Sequence, residues 1–307
     1  MPAVQVSKSI QVSVSPEVAY QSVRDFKQWP IWSPWLIADR GCAVEFAEDG
    51  NSYAWDSEVI GSGSIAVKSD DSPRRIDLDL VFLKPWKSQA DVTMSFVSEQ
   101  GGTTVTWKMD TTLPFFMFFM KKTMEAGCGA DFDRGLAMLK DHLEEGSVPS
   151  MLKLGEQAVE PISIAGITSK SSVESIGESM EADMLRLKEW IDSSGVVPAG
   201  KPLSIYHHWD IVKKEASYTV GFPVSNTNLD LPEGIQLHEL PEMETFTITH
   251  TGPYRHLGNA WATGMMHARA KQFCQRRGVH PFEIYENMPG ETPDEELVTV
   301  VHFPIKN

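Results

Sequence analysis

The chain has 307 residues, enough for two domains of ordinary size, and carries 42 acidic against 27 basic side chains, a formal net charge of -15. The acidity is shared: residues 1–147 hold 21 acidic and 14 basic groups (net -7) and the remainder 21 and 13 (net -8), so it is not confined to a tail. Such surfaces are expected to repel nucleic acid and anionic membranes, and three scattered cysteines, Cys42, Cys128 and Cys274, predict reduced thiols in the cytoplasm rather than a disulfide framework or a metal site.

In chain order, the first half opens with alternation. Val4, Val6, Ile10, Val12 and Val14 share one face and Gln5, Ser7, Ser9, Gln11 and Ser13 the other, with Lys8 the exception, which is the pattern of a half-buried strand. Ser15 and Pro16 read as a helix N-cap and first helical position, and a short helical stretch, Val18 to Phe26, follows. Trp29, Trp32 and Trp35 then cluster around Pro30 and Pro34. Strands are predicted near 43–47, 53–60, 63–69, 74–83, 90–98 and 103–111, with turns at Gly50-Asn51, Asp70 to Pro73 and Gly101-Gly102. The longest apolar run, Leu113 to Met120, has eight residues, far below the roughly 20 a transmembrane helix needs. It leads into a helix whose stripe is Met124, Cys128, Phe132, Leu136, Leu139 and Leu143, closed by Gly146.

Strand, short helices, antiparallel strands and one long helix in this order resemble the START-like, polyketide-cyclase (SRPBCC) superfamily. That resemblance implies a helix-grip domain over 1–147, with a curved sheet and a long C-terminal helix around a cavity. Trp32, Trp55, Trp86 and Trp107, with Trp35 and Phe82, are its candidate walls. Residues 146–161, with Gly146, Pro149, Gly155 and Pro161, read as a linker running into a second domain at 156–307.

The second half contains an internal repeat. Each copy starts with a strand (Ile162 to Ser169; Glu244 to His250) and continues with a helix, the first opened by a Ser175/Glu178 capping box and carrying Ile176, Met180, Met184, Leu187 and Ile191. The second helix shows Leu257, Trp261, Met265 and Ala268 to Phe273. Gly195-Val196 and Gly278-Val279 follow the helices, then the pairs Ile205-Tyr206 and Ile284-Tyr285, then the endings Phe222-Pro223-Val224 and Phe303-Pro304-Ile305. The landmark offsets are 83, 79 and 81 residues, which predicts a duplicated β-α-β-β domain with a pseudo-twofold axis and an α+β class for the whole chain.

Together with His250-Thr251-Gly252-Pro253-Tyr254, these landmarks resemble the GyrI-like effector-binding domain, also found in AraC-type regulators. The resemblance implies a central cleft for flat, often cationic compounds, lined here by Tyr206, Trp209, Tyr218, Tyr254, Trp261 and Tyr285. Stacking and cation–π attraction suit such rings to that task. Glu215 is the candidate carboxylate and His302 a further candidate lining residue. Many relatives carry an acid on the last strand before the Phe-Pro ending; the matching position here is Val300, which turns the expectation toward a neutral or apolar ligand.

No catalytic residue, cofactor or metal is assigned. The leading expectation is binding or sensing of small, largely apolar or aromatic molecules by two pocket-forming domains. The alternatives are hydrolysis of strained electrophiles in the GyrI-like domain, with Glu215 positioning water, and a gyrase-inhibitor type of protein-interaction module. No helix-turn-helix segment is evident, so direct nucleic-acid binding is not expected, and a separate regulator or protein partner would receive the signal.

Overall fold

The computed structural model describes residues 2–306, which divide into two compact units meeting in the chain between Pro149 and Ser150. Each is described by itself.

The N-terminal unit runs β1 (Ala3–Val12), α1 (Pro16–Arg24), α2 (Trp29–Trp32), β2 (Ala43–Phe46), β3 (Ser52–Ser57), β4 (Gly61–Asp71), β5 (Arg75–Lys84), β6 (Ser88–Glu99), β7 (Gly102–Thr112) and α3 (Lys121–Glu145). The strands form one antiparallel sheet ordered β1-β7-β6-β5-β4-β3-β2. Val4, Val6 and Val12 on β1 are buried as the alternation requires. Ser15 caps α1 by accepting from the Val18 N–H at 3.5 Å. On α3, Phe132, Leu136 and Leu139 are buried, and Gly146, at φ 76°, ends the helix in the left-handed conformation expected of a glycine cap. The architecture is the helix-grip arrangement of an α+β protein.

The C-terminal unit runs β8 (Met151–Val159), β9 (Ile162–Ser172), α4 (Ile176–Ser194), β10 (Leu203–Asp210), β11 (Glu215–Pro223), β12 (Gln236–Leu240), β13 (Met243–Thr251), α5 (Gly258–Arg269), β14 (Phe282–Tyr285) and β15 (Val298–Pro304). Its antiparallel sheet is ordered β12-β9-β11-β10-β14-β15-β13-β8. The two copies of the repeat are therefore β9-β11-β10 and β14-β15-β13, mirrored about the central β10–β14 pair. That pair is the axis predicted from the landmarks. Only two residues join β8 to β9, and only two join β12 to β13, although each pair is widely separated in strand order. The sheet must curl to permit this, and its inner face holds Val159, Ile164, Leu203, Ile205, Leu240, Met243 and Phe282. The helices lie on the other face.

Several expectations change. Residues 151–159, read as linker, form the edge strand β8, paired with β13 from Met151↔Thr251 to Val159↔Met243. The Ser175 hydroxyl makes no capping bond; it is engaged by the Ser172 and Ser171 hydroxyls at 2.7 and 3.1 Å. The second repeat helix ends at Arg269, before Gly278, and its buried positions are Asn259, Ala260, Thr263, Gly264 and His267. Met265, expected in its apolar stripe, is exposed. A Cβ on Gly264 would stand 2.1 Å from the Phe303 ring, so small residues make the closest part of the packed face, while Leu257, Trp261, Ala268 and Phe273 of the expected stripe do pack on the core beside it.

Candidate functional site

Period-two geometry builds the site at the repeat axis. Ser204 and Tyr206 lie on the helix-bearing face of β10, and Glu283 and Tyr285 on the same face of β14, because Ser204 pairs with Glu283. The two tyrosines are the matching positions of the repeat. Both donate to one oxygen of the carboxylate: Tyr206 Oη to Glu283 Oε2 at 2.9 Å and Tyr285 Oη to the same atom at 2.7 Å. Trp261, on α5, donates its indole N–H to Glu283 Oε1. Tyr285 Oη also lies 2.9 Å from Ser204 Oγ.

Glu283 is 1% exposed, and its three donors are all neutral. Burial raises its pKa, while the bonds from Trp261, Tyr285 and Tyr206 oppose the rise. Burial and the neighbouring carboxylate push Tyr206 and Tyr285 well above the ordinary tyrosine value, so both stay protonated donors. Around this group the rings form a graded wall. Tyr206 meets Trp261 edge-on at 4.8 Å and Trp209 at 6.2 Å, and Tyr254 lies 5.9 Å from Tyr285. Tyr254 and Trp209 remain 37% and 48% exposed, so aromatic surface leads from solvent to a buried carboxylate. Burial first, then the Glu283 charge, raises the Tyr254 pKa to about 12.

Sequence reasoning placed five members of this group, Tyr206, Trp209, Tyr254, Trp261 and Tyr285, and missed its acid. Glu215 is exposed beside the turn that joins β10 to β11, paired with Asp210 and Ser172, and not in the aromatic cluster. Val300 does stand on the last strand, but it pairs with Ile284; the acid comes from the neighbouring strand, one residue away. The ground for expecting a neutral ligand is therefore removed. The available signal was the repeat: Ser204-Ile205-Tyr206 in one copy faces Glu283-Ile284-Tyr285 in the other, a charge in only one copy at a position two residues before each tyrosine.

Tyr218 and His302 sit elsewhere. Tyr218 is fully buried against α4, 2.6 Å from Ser179 Oγ and donating to Asp183 Oδ2 at 3.0 Å. His302 pairs with Phe282, on the face opposite Glu283; its ring stacks on Phe282 at 4.5 Å and its Nδ1 lies 3.0 Å from Thr245 Oγ1.

In the N-terminal unit the expected cavity walls are packed against one another. Trp32 and Trp107 are 5.7 Å apart, Trp107 stacks on Phe132 at 4.3 Å, and Trp55 contacts Tyr53 and Phe82 at 6.0 and 5.8 Å. Cβ atoms on Gly63 and Gly135 would fall 2.6 and 2.9 Å from the rings of Trp55 and Trp107, so these rings lie directly against the backbone of β4 and α3. Trp86 is half-exposed on the β5–β6 hairpin.

Residues 157–306 match the family described as the GyrI-like small molecule binding domain, and residues 3–144 match polyketide cyclase / dehydrase and lipid transport. No curated protein is similar enough to match. Among solved structures, the C-terminal domain of EcmrR is similar at 15% identity and a TM-score of 0.44, covering 51% of this chain and 98% of that one. SAV2435 bound to tetraphenylphosphonium is similar at 13% and 0.40, covering 50% and 94%. The Aha1 dimer from Colwellia psychrerythraea is similar at 17% and 0.36, covering 47% and 98%. Among the described residues no helix is long and apolar enough to cross a membrane. The chain thus resembles the polyketide cyclase / dehydrase and lipid transport family in its N-terminal unit and the GyrI-like small molecule binding family in its C-terminal unit.

Proposed function

We propose that the C-terminal domain binds small aromatic cations at Glu283, and that the protein acts as a sensor or sink for such compounds. The observation that carries this reading is a buried carboxylate held by three neutral donors beneath half-exposed aromatic rings. A charge buried without a counter-ion is unfavourable, and a cation entering between the rings would supply one. Tyr206, Trp261 and Tyr254 would offer ring faces, and Trp209 would stand at the rim. A neutral aromatic compound would gain the stacking and leave the carboxylate uncompensated. A hydrolytic reaction in this domain would need Glu283 as its base, since Glu215 is outside the cluster. The aromatic core of the N-terminal domain supports a structural role for Trp32, Trp55 and Trp107.

The test is affinity for tetraphenylphosphonium as a function of pH, followed by tryptophan fluorescence on the full chain. Only the ionised carboxylate attracts the cation, and burial raises the Glu283 pKa. Affinity is expected to rise as pH rises through that raised value and then level off. Affinity flat across the whole range in which a carboxyl group titrates would contradict the reading.

A further inference from the structure

Between β7 and α3 the chain exposes apolar side chains to an unusual degree. Phe115, Phe116, Phe118 and Phe119 are 61–78% exposed. They lie on a 3-10 turn, Phe115–Met120, whose three-residue period stacks 115 over 118 and 116 over 119. The same period turns Met117 inward against the core, and Leu113, fully packed, donates its N–H to Pro2 O at 3.0 Å. The segment is thus clamped at two points, with its phenylalanines outward. At about 150–250 Å² per aromatic side chain, the patch reaches several hundred Å², the range in which exposed apolar surface marks an interaction site.

The adjoining hairpin extends it. Ala90 on β6 pairs with Thr111 on β7, so the β5–β6 turn leaves the sheet at the same end as the phenylalanines. That turn exposes Leu83 and Trp86. It also carries Lys84 and Lys87, while Lys121 and Lys122 open α3. Two lysines in the first turn of a helix oppose its macrodipole, and no acidic residue stands in that turn. Lys84 is paired with Asp56 at 3.1 Å and Lys121 with Glu125 at 3.7 Å, and exposed Glu58 stands on the adjoining β3–β4 turn, while Lys87 and Lys122 are exposed at the margin of the phenylalanines.

We propose that this end of the N-terminal domain docks on an anionic lipid bilayer, with the phenylalanines entering the headgroup–acyl boundary and the lysines meeting lipid phosphates. A protein partner fits less well. Protein interfaces need hydrogen bonds across them and are depleted in lysine, whereas Phe115–Met120 has no polar side chain and its margin is lysine. Aromatic rings with long basic side chains beside them suit the bilayer interface. The net charge of -15 predicts repulsion from such a membrane. Exposed charges farther apart than a Debye length of about 8 Å at physiological ionic strength are largely screened, however, so the marginal lysines act on lipid phosphates at contact range.

The experiment is flotation of the full chain with vesicles of phosphatidylcholine and phosphatidylglycerol in equal parts, against phosphatidylcholine alone. The wild type is expected to float with the mixed vesicles and less with the neutral ones. Phe116→Ser with Phe119→Ser should reduce the floated fraction at least tenfold at unchanged melting temperature, because both side chains are exposed. Lys87→Glu with Lys122→Glu should abolish the preference for the anionic lipid. A wild type that stays unbound with both vesicles, or phenylalanine variants that float as it does, would overturn the proposal. So would a wild-type dimer that the phenylalanine variants dissociate and that does not float, which would assign the patch to a second copy.

Discussion

Trp107 in the N-terminal domain and Trp261 in the C-terminal domain both lie between a sheet and a helix, and they differ in what their indole N–H meets. Trp107 is stacked on Phe132 and its N–H finds no protein acceptor; the same holds for Trp32. Trp261 gives its N–H to Glu283 and turns its ring toward Tyr206. Aromatic residues are thus packed as core in one domain and form the proposed site in the other. What separates the two is a buried carboxyl group among the rings, with the exposed rings of Tyr254 and Trp209 on its solvent side.

The largest effect is expected where the N-terminal rings are packed as core. Trp107→Ala removes a buried ring contacting Trp29, Trp32, Trp35 and Phe132, and is expected to cost about 3–5 kcal/mol of stability. Denaturant unfolding should show the loss, with cation binding by the C-terminal domain intact. A ring lining an open cavity would cost much less.

A second test uses the pH dependence of stability. The folded-state pKa of Glu283 is raised above its ordinary value of 4.5. The folded domain therefore holds a proton that the unfolded chain has lost, and stability falls as pH rises from 4.5 through the raised pKa. Glu283→Gln has no such proton, so its stability relative to wild type should climb over that window, by up to about 1.4 kcal/mol per pH unit. Taking the difference matters because His250 and His302, held at about 4 by burial, destabilise both proteins as pH falls below 6.5. The histidine contributions cancel. Thermal melts of the two proteins across this range give the answer; parallel curves would mean that Glu283 titrates as an ordinary carboxyl group.

The smallest expected effect is at the rim. Trp209→Ala should weaken cation binding by about 0.5–1 kcal/mol, the size of a cation–π contact at an exposed site, with stability within about 0.5 kcal/mol of wild type. Calorimetric titration beside a melting curve separates the two quantities.

The repeat was legible because it is a relation between positions and needs no knowledge of environment. Tyr206 and Tyr285 fell at matching places, and the structure brings their hydroxyl groups to one oxygen. Glu283 was hidden because a glutamate two residues before a tyrosine looks like the exposed face of a strand unless the partner strand is known. Glu215 attracted attention for its place before a strand, where the turn leaves it in solvent. Edge strands were the weakest signal in the fold. β8 and β12 have mostly exposed side chains, so their alternation carries little hydrophobic contrast. The tryptophans of the N-terminal half were visible as a cluster, but whether rings surround a space or fill it depends on close approaches such as Gly63 to Trp55 and Gly135 to Trp107, which only coordinates supply.

Cation recognition by Glu283 is tested most directly by calorimetric titration of wild type and Glu283→Gln with tetraphenylphosphonium and with the neutral triphenylphosphine oxide at neutral pH. Wild type is expected to prefer the cation, and Glu283→Gln to lose at least tenfold in cation affinity, about 1.4 kcal/mol, with little change for the neutral compound. Equal loss for both compounds, or undiminished cation binding in the variant, would contradict it.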